Sequence, residues 1–379
     1  MGPLSSLRVV ELAGLGPAPF GGMVLADLGA HVIRVDRQGS VNDWLLSSPQ
    51  NDILNRGKRS IAVDLKSPQG VDLVLELIAS ADALIEGYRP GVTERLGLGP
   101  AECLARNERL VYGRMTGWGQ TGPYASMAGH DIDYIALSGA LGSIGTEDRP
   151  VPPLNLVGDF GGGGMLLALG VLAGVLAARE SGQGQIVDAA MVDGSALLMA
   201  SHHGFLADGW WSSERESNLL DGAAPFYTTY ETSDGRHMAV GALEPQFYAA
   251  LLAGLELDAG ALPSQMDRDG WPRLRDVFAA KFMERSRDEW EDHFAGTDAC
   301  VAPVLAMDEA PAHPQNRDRS SFVSVEGVTQ PAPAPRFTGT PAGTPSVPVA
   351  PGADTEAILG ELGFSPSQIG RLRESGVVA

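Results

Sequence analysis

LRVVELAGLGPAPFGGMVLADLGAHVIRVDR, from Leu7 to Arg37, carries the first decision about the fold. Leu7–Ala13 is an apolar run of strand length, Gly14-Leu15-Gly16-Pro17 is a turn, and small residues then continue helically to Leu28. Gly29 closes that helix, and His31–Val35 starts a second strand that ends in Asp36-Arg37. Strand, helix and strand in so short a span predict a βαβ unit opening an α/β domain. The turn is not the dinucleotide fingerprint, because Pro19 stands at the third glycine position.

The alternation continues outward from this unit. Ser60–Asp64 reads as a strand, Ser67–Ser80 as a helix, Ala83–Glu86 as a strand, and Leu110–Met115 as another before the Gly- and Pro-rich Thr116–Pro123. Val187–Ala190 and a helix from Val192 to about Leu206 close this half. Strands separated by helices pair in parallel, and ligands then sit beyond their carboxyl ends. The texture changes near Ala224. Phe226–Thr232, the Ser233-Asp234-Gly235 turn and Arg236–Leu243 form a hairpin pattern. Helices are expected at Gln246–Leu255, Trp271–Glu284 and Asp288–Phe294, the last with Ser286 and Glu289 spaced as a capping box. Cys300–Leu305 and the Pro-rich Pro331–Pro351 read as extended, and Thr355–Arg373 as a helical tail. The expected division is residues 1–190 for a large domain, 191–223 for linker helices, 224–320 for a small α+β domain and 321–379 for the return to the large domain.

A formal charge of −20 excludes a nucleic-acid partner, since a run of phosphates would find no neutralising surface. A few arginines still suffice for a local anion site. Cys103 and Cys300 match no zinc or redox spacing, no metal ligand set is evident, and a reducing, cytoplasmic setting is expected. No secretory n-region or h-region opens the chain. Gly161–Ala178 carries no charge, but it is rich in Gly and Ala and bounded by Asp159 and Arg179. A buried helix in a domain core or subunit contact is therefore expected, not a membrane span.

Two stretches carry chemistry. Gly129-His130-Asp131 puts an imidazole and a carboxylate at the start of a predicted helix. Gly158-Asp159-Phe160 precedes four glycines and a long apolar helix. Two weak bases delivered separately to helix starts suit an enzyme that moves a proton off and onto carbon. His130 suits proton shuttling near neutrality, and the glycines permit close backbone packing beside Asp159.

The ordered set of motifs resembles the family III CoA-transferase superfamily and, within it, the α-methylacyl-CoA racemases. It comprises Val9-Val10-Glu11-Leu12-Ala13-Gly14, Asn55–Ser60 ahead of Asp64-Leu65-Lys66, and Ile85–Gly91. Thr116–Pro123, the two chemical stretches, Val301–Val304 and Pro351–Glu356 with Leu362–Ser365 complete it. The resemblance implies a Rossmann-like large domain with a parallel sheet plus a smaller α+β domain. It also implies an interlocked homodimer whose site forms between the large domain of one subunit and the small domain of the other.

By the same resemblance, the expected reaction is epimerisation of 2-methylacyl-CoA thioesters, (2R) to (2S) and back, through an enolate. His130 would serve the S-epimer and Asp159 the R-epimer, with Glu244 of the partner chain behind His130. Asp131 is the nucleophile of the transferases, whereas in the racemases its backbone N–H is an oxyanion donor. The transferases lack a histidine before this aspartate, so His130 favours racemisation. CoA is part of the substrate, and no separate cofactor is expected. Its binding positions by resemblance are Arg37, Val63, Asp64, Leu65 and Lys66, then Gly87, Tyr88, Arg89 and Arg95, and finally Gly129, Ile132, Asp133 and Tyr134. The rival activities are CoA transfer through Asp131 and non-catalytic binding of acyl-CoA.

Overall fold

The computed structural model describes residues 2–38 and 48–379. The chain divides into two compact units: Met1–Ser138, Pro153–Leu198 and Gln315–Ala379 form the first, Gly139–Pro152 and Met199–Pro314 the second.

The first unit is built on six strands: β1 (Arg8–Leu12), β2 (His31–Arg37), β3 (Arg59–Val63), β4 (Ala83–Glu86), β5 (Val111–Thr116) and β6 (Gln185–Ala190). They are all parallel, in the order β3-β2-β1-β4-β5-β6. This is the doubly wound arrangement expected from the alternation, and strand order reverses between β1 and β4. The helices are α1 (Pro17–Asp27), α2 (Pro68–Ala79), α3 (Val92–Arg95), α4 (Pro100–Arg106), α5 (Asp131–Leu137), α6 (Leu166–Ser181) and α7 (Met191–Leu198).

Period-two alternation sends neighbouring strand residues to opposite faces. Val10, Leu84 and Tyr112 pack with Leu73, Val74 and Leu77 of α2. Val9, Ile85 and Val111 pack with Leu25 of α1 and Leu167, Val171 and Val175 of α6. The tail joins the first of these cores through Ile358 and Ile369 and reaches β3, where Val63 bridges Val378. It forms two helices, Thr355–Glu361 and Pro366–Glu374, because Ser365 starts a new capping box with Gln368.

The run from Leu156 to Ser181 is long and apolar enough, by length and composition, to cross a membrane. Here one face of α6 lies on the sheet over Gly113, where an added Cβ would come within 3.0 Å of Val171. Leu169 and Leu176 on the other face are exposed.

The second unit holds the antiparallel strands β7 (Tyr227–Glu231), β8 (His237–Gly241) and β9 (Val301–Pro303). Its helices are α8 (Ala200–Ala207), α9 (Pro245–Gly254), α10 (Trp271–Phe282) and α11 (Arg287–Phe294). Phe226, Tyr230, Trp271, Phe278, Phe282 and Trp290 fill its core. The Ser286–Glu289 capping box is present at α11.

Boundaries drawn from composition differ from these units: the expected linker 191–223 is divided between them after Leu198, and residues 315–320 belong to the first unit. Gly139–Pro152 belongs to the second unit, where the Arg215 guanidinium donates to the carbonyls of Gly142, Thr146 and Glu147. The helix expected from Val192 to about Leu206 is two helices, α7 and α8, parted at Met199.

Candidate active site

A cavity of about 640 Å³ opens in the first unit beyond the carboxyl ends of β1, β4 and β5. It lies where strand order reverses, the position at which doubly wound sheets take their ligands. Gly14–Ala18 after β1, Gly87–Pro90 after β4 and Met115–Trp118 at the end of β5 form three of its walls. Ala125, Met127–His130, Tyr134, Asn155, Asp159 and Met191 complete it.

His130 is the N-cap of α5, with an extended backbone at φ −132° and ψ 175°. Its N–H donates to the Asp133 carboxylate at 2.9 Å, and its carbonyl accepts the Asp133 N–H at 2.9 Å. Asp133 is thus the N3 residue whose carboxylate reaches back to the N-cap of α5. Tyr134, one residue on, donates its hydroxyl to the Gly129 carbonyl and packs edge-on against Trp118, ring centroids 4.7 Å apart. A side chain at Gly117 would strike the Tyr134 ring. Burial pushes the Tyr134 phenol up to about 12, which keeps it a donor and fixes the backbone beside His130.

Asp159 is not the N-cap of an α-helix. It is the fourth residue of a π-helical segment, Leu156–Met165, which runs directly into α6. Such segments are uncommon and often mark functional positions. The four glycines press this segment against its neighbours. A Cβ at Gly162 would lie 2.6 Å from Ser195 N of α7, and one at Gly164 would lie 2.5 Å from Pro17 O of α1. The Asp159 N–H donates to Asp131 Oδ1 at 2.7 Å, and Asp159 Oδ2 accepts from Asn155 Nδ2 at 3.0 Å. Burial holds the Asp159 carboxyl above its ordinary range. The Asn155 hydrogen bond pulls it down, the negative Asp131 pushes it up, and His130 pulls it down.

Asp131 differs from the transferase expectation. Its side chain does not line the cavity; the residue is 6% exposed, Oδ1 is engaged by Asp159, and Oδ2 is buried without a hydrogen-bond partner. Its backbone N–H, at the first residue of α5, has no partner within the helix.

The wall Gly87–Arg89 rests on buried charges that motif reasoning did not single out. Glu86 accepts the Tyr88 N–H at 2.7 Å and Arg114 Nε at 3.0 Å, and Arg114 reaches out to Glu94 at 2.9 Å. The Tyr88 hydroxyl crosses to the Ala13 carbonyl at 3.0 Å. Burial pushes the Glu86 carboxyl up to about 6. A Glu and an Arg inside otherwise apolar core strands are the sequence signal for such a pair. Asn155, the partner of Asp159, left no comparable signal.

Of the residues expected at the site, the cavity gathers Gly87, Tyr88, Arg89, Gly129, His130, Tyr134 and Asp159. Arg37 ends β2, Arg95 ends α3, and Lys66 and Ile132 are exposed, all outside its lining. Val63 and Leu65 turn into the core, so only their backbone remains for a ligand. Asp64 accepts the Lys66 N–H at 3.0 Å in a local turn. Glu244 is the exposed N-cap of α9 in the second unit.

A family model described as CoA-transferase family III matches residues 4–355. The chain is 48% identical to the alpha-methylacyl-CoA racemase of Mus musculus and 46% identical to that of Homo sapiens. Each match covers 99% of this chain and 97% of the relative. A crystal structure of a CAIB/BAIF family protein from Brucella suis superposes with a TM-score of 0.82 at 27% identity, covering 95% of this chain and 99% of that one. With a doubly wound sheet, a cavity at its switch point and a match along nearly its whole length, this chain belongs to CoA-transferase family III.

Proposed function

We propose that this protein epimerises the α-carbon of 2-methylacyl-CoA thioesters by 1,1-proton transfer. The observation that carries this is the convergence of His130 and Asp159 on one cavity, in a chain 46% and 48% identical to two racemases over nearly its whole length. One base removes the α-proton, giving an enolate, and the conjugate acid of the other returns a proton to the opposite face. His130 serves the S-epimer and Asp159 the R-epimer. The raised proton affinity of Asp159 brings it nearer neutrality, where a carboxyl exchanges protons most effectively. The Asp131 N–H at the start of α5 supplies an oxyanion donor for the enolate oxygen.

Arg89 in the cavity wall, with Arg37, Lys66 and Arg95 outside it, offers cations for the CoA phosphates. Leu169, Leu176 and Leu197, exposed in the single chain, support burial against a second copy. In that homodimer Glu244 of the partner orients His130.

CoA transfer would need the Asp131 carboxylate presented to the thioester, and its burial and its bond to Asp159 speak against that. Incubation with a single-epimer 2-methylacyl-CoA in heavy water tests the proposal. Deuterium should appear at the α-carbon together with the other epimer, and His130→Ala and Asp159→Ala should each lose about a hundredfold or more. Absence of exchange, with CoA passing to a free carboxylic acid instead, overturns it.

A further inference from the structure

We propose that the Asp131 side chain is a positioning residue: through Oδ1 it tethers the backbone of Asp159 and so fixes where the second base stands in the cavity. This rests on the epimerase reading and assigns the carboxylate a role separate from the N–H of the same residue. The geometry is direct. α5 delivers Asp131 at its first position, and the carboxylate turns away from the cavity into the fold, accepting the Asp159 N–H at 2.7 Å. The backbone of Gly158 passes so close that a Cβ there would lie 2.5 Å from Asp131 Oδ1. Inside a π-helical turn, where ladder hydrogen bonds are irregular, this outside acceptor gives the Asp159 N–H a fixed partner. The same carboxylate is a negative charge beside the Asp159 carboxyl, so the group that fixes its place also adds to the rise in proton affinity that burial causes.

The other groups facing Asp159 are few. His130 and Tyr134 come from the same helix start, Asn155 from the N-cap of the segment, and Arg89 from the wall after β4. Among the elements packed around it, α1 brings only Asp27, which is paired with Arg56, and α7 only the exposed Asp193. Arg114 of β5 is taken by Glu86, and Asp188 of β6 accepts the Gln120 N–H. The nearest charges of α6, Arg179 and Glu180, lie at its far end.

The test measures α-tritium release from each epimer of a 2-methylacyl-CoA by the full-length protein. Asp131→Ala should lower release from the R-epimer at least tenfold and from the S-epimer less than threefold, because only the former starts at Asp159. Asp131→Asn keeps an oxygen for the Asp159 N–H but removes the charge. Its release from the R-epimer should persist, with the acid limb of the pH profile moved to lower pH. If Asp131→Ala fails to fold, the R-epimer release retained by Asp131→Asn decides the matter alone. Equal losses on both epimers in Asp131→Ala, or loss of R-epimer release in Asp131→Asn despite its retained oxygen, would overturn the tether while leaving the epimerase standing. Wild-type protein that releases tritium from neither epimer sinks the epimerase and the tether together.

Discussion

Asn155, the N-cap of the π-helical segment, stands four residues before Asp159, and its amide donates to Asp159 Oδ2 at 3.0 Å. That bond favours the ionised carboxylate and opposes the burial and the Asp131 charge that favour the protonated form. Removing it in Asn155→Ala leaves those two opposed only by His130. Asp159 must be ionised to take a proton from the R-epimer, so the acid limb of that profile should move to higher pH. Near pH 7 the rate should fall about three- to tenfold, in keeping with the roughly 0.5–1.5 kcal/mol that one exposed hydrogen bond contributes. A pH–rate profile with an unmoved acid limb would contradict this.

Glu86 links pH to stability. Its carboxyl lies at about 6 in the fold because burial outweighs its bonds to Tyr88 and Arg114, against an ordinary value of 4.5. Between these values the folded chain holds the proton more tightly than the unfolded chain. The contribution is therefore full below pH 4.5 and is lost as pH rises through 6, about 2 kcal/mol in all. Urea unfolding at several pH values should show this decline in the wild type and not in Glu86→Gln. A wild type and variant with parallel pH dependence would refute the assignment.

How far pattern alone reaches is seen by comparing β4 with Asp159. Ala83–Glu86 is a strand with the limits its apolar run gives, because a buried parallel strand needs little besides that run. The whole sheet follows from the same logic, and so does the placing of His130 at a helix start. Asp159 is different: the apolar run predicts a helix from Gly161, yet it begins at Leu156 as a π-helical segment, with the four glycines in backbone contact with α1 and α7. Asn155 gains its role only from that geometry. The hairpin Phe322–Val325 with Val328–Pro331 was likewise hidden, since its turn places Glu326 and Gly327 at positive φ without the usual Asn-Gly or Asp-Gly. At Val63 and Leu65 the motif resemblance marks backbone positions whose side chains belong to the core.

Lys58 is the position at which α1 is fastened to the sheet. Its Nζ lies 2.8 Å from the Glu11 carboxylate, 2.9 Å from the Pro19 carbonyl of α1 and 3.1 Å from Asn55 Oδ1, with both charged side chains fully buried. Burial pushes Glu11 up and Lys58 down, while their mutual attraction opposes both. Lys58→Met strands a buried carboxylate and should cost about 3–5 kcal/mol by urea unfolding. Adding Glu11→Leu removes the stranded charge and should recover most of that loss. Equal stability of the single and double variants would show that the pair is not coupled as its geometry requires.

Gly162 tests whether the packing of the π-helical segment places the second base. A Cβ there would lie 2.6 Å from Ser195 N and 2.8 Å from Gly194 C, and one at Gly194 would strike the Gly162 carbonyl. These are backbone atoms of two elements in contact, and no side-chain rotation relieves them. Gly162→Ala should therefore part the segment from α7, at a cost of about 1–3 kcal/mol. Asp159, three residues earlier, should move with it, so α-proton release from the R-epimer should fall more than release from the S-epimer. Gly204→Ala in α8 meets nothing within 4 Å and should be neutral or stabilising by up to about 1 kcal/mol, with both rates unchanged. If Gly162→Ala loses stability but slows both epimers equally, α7 holds the fold without placing Asp159.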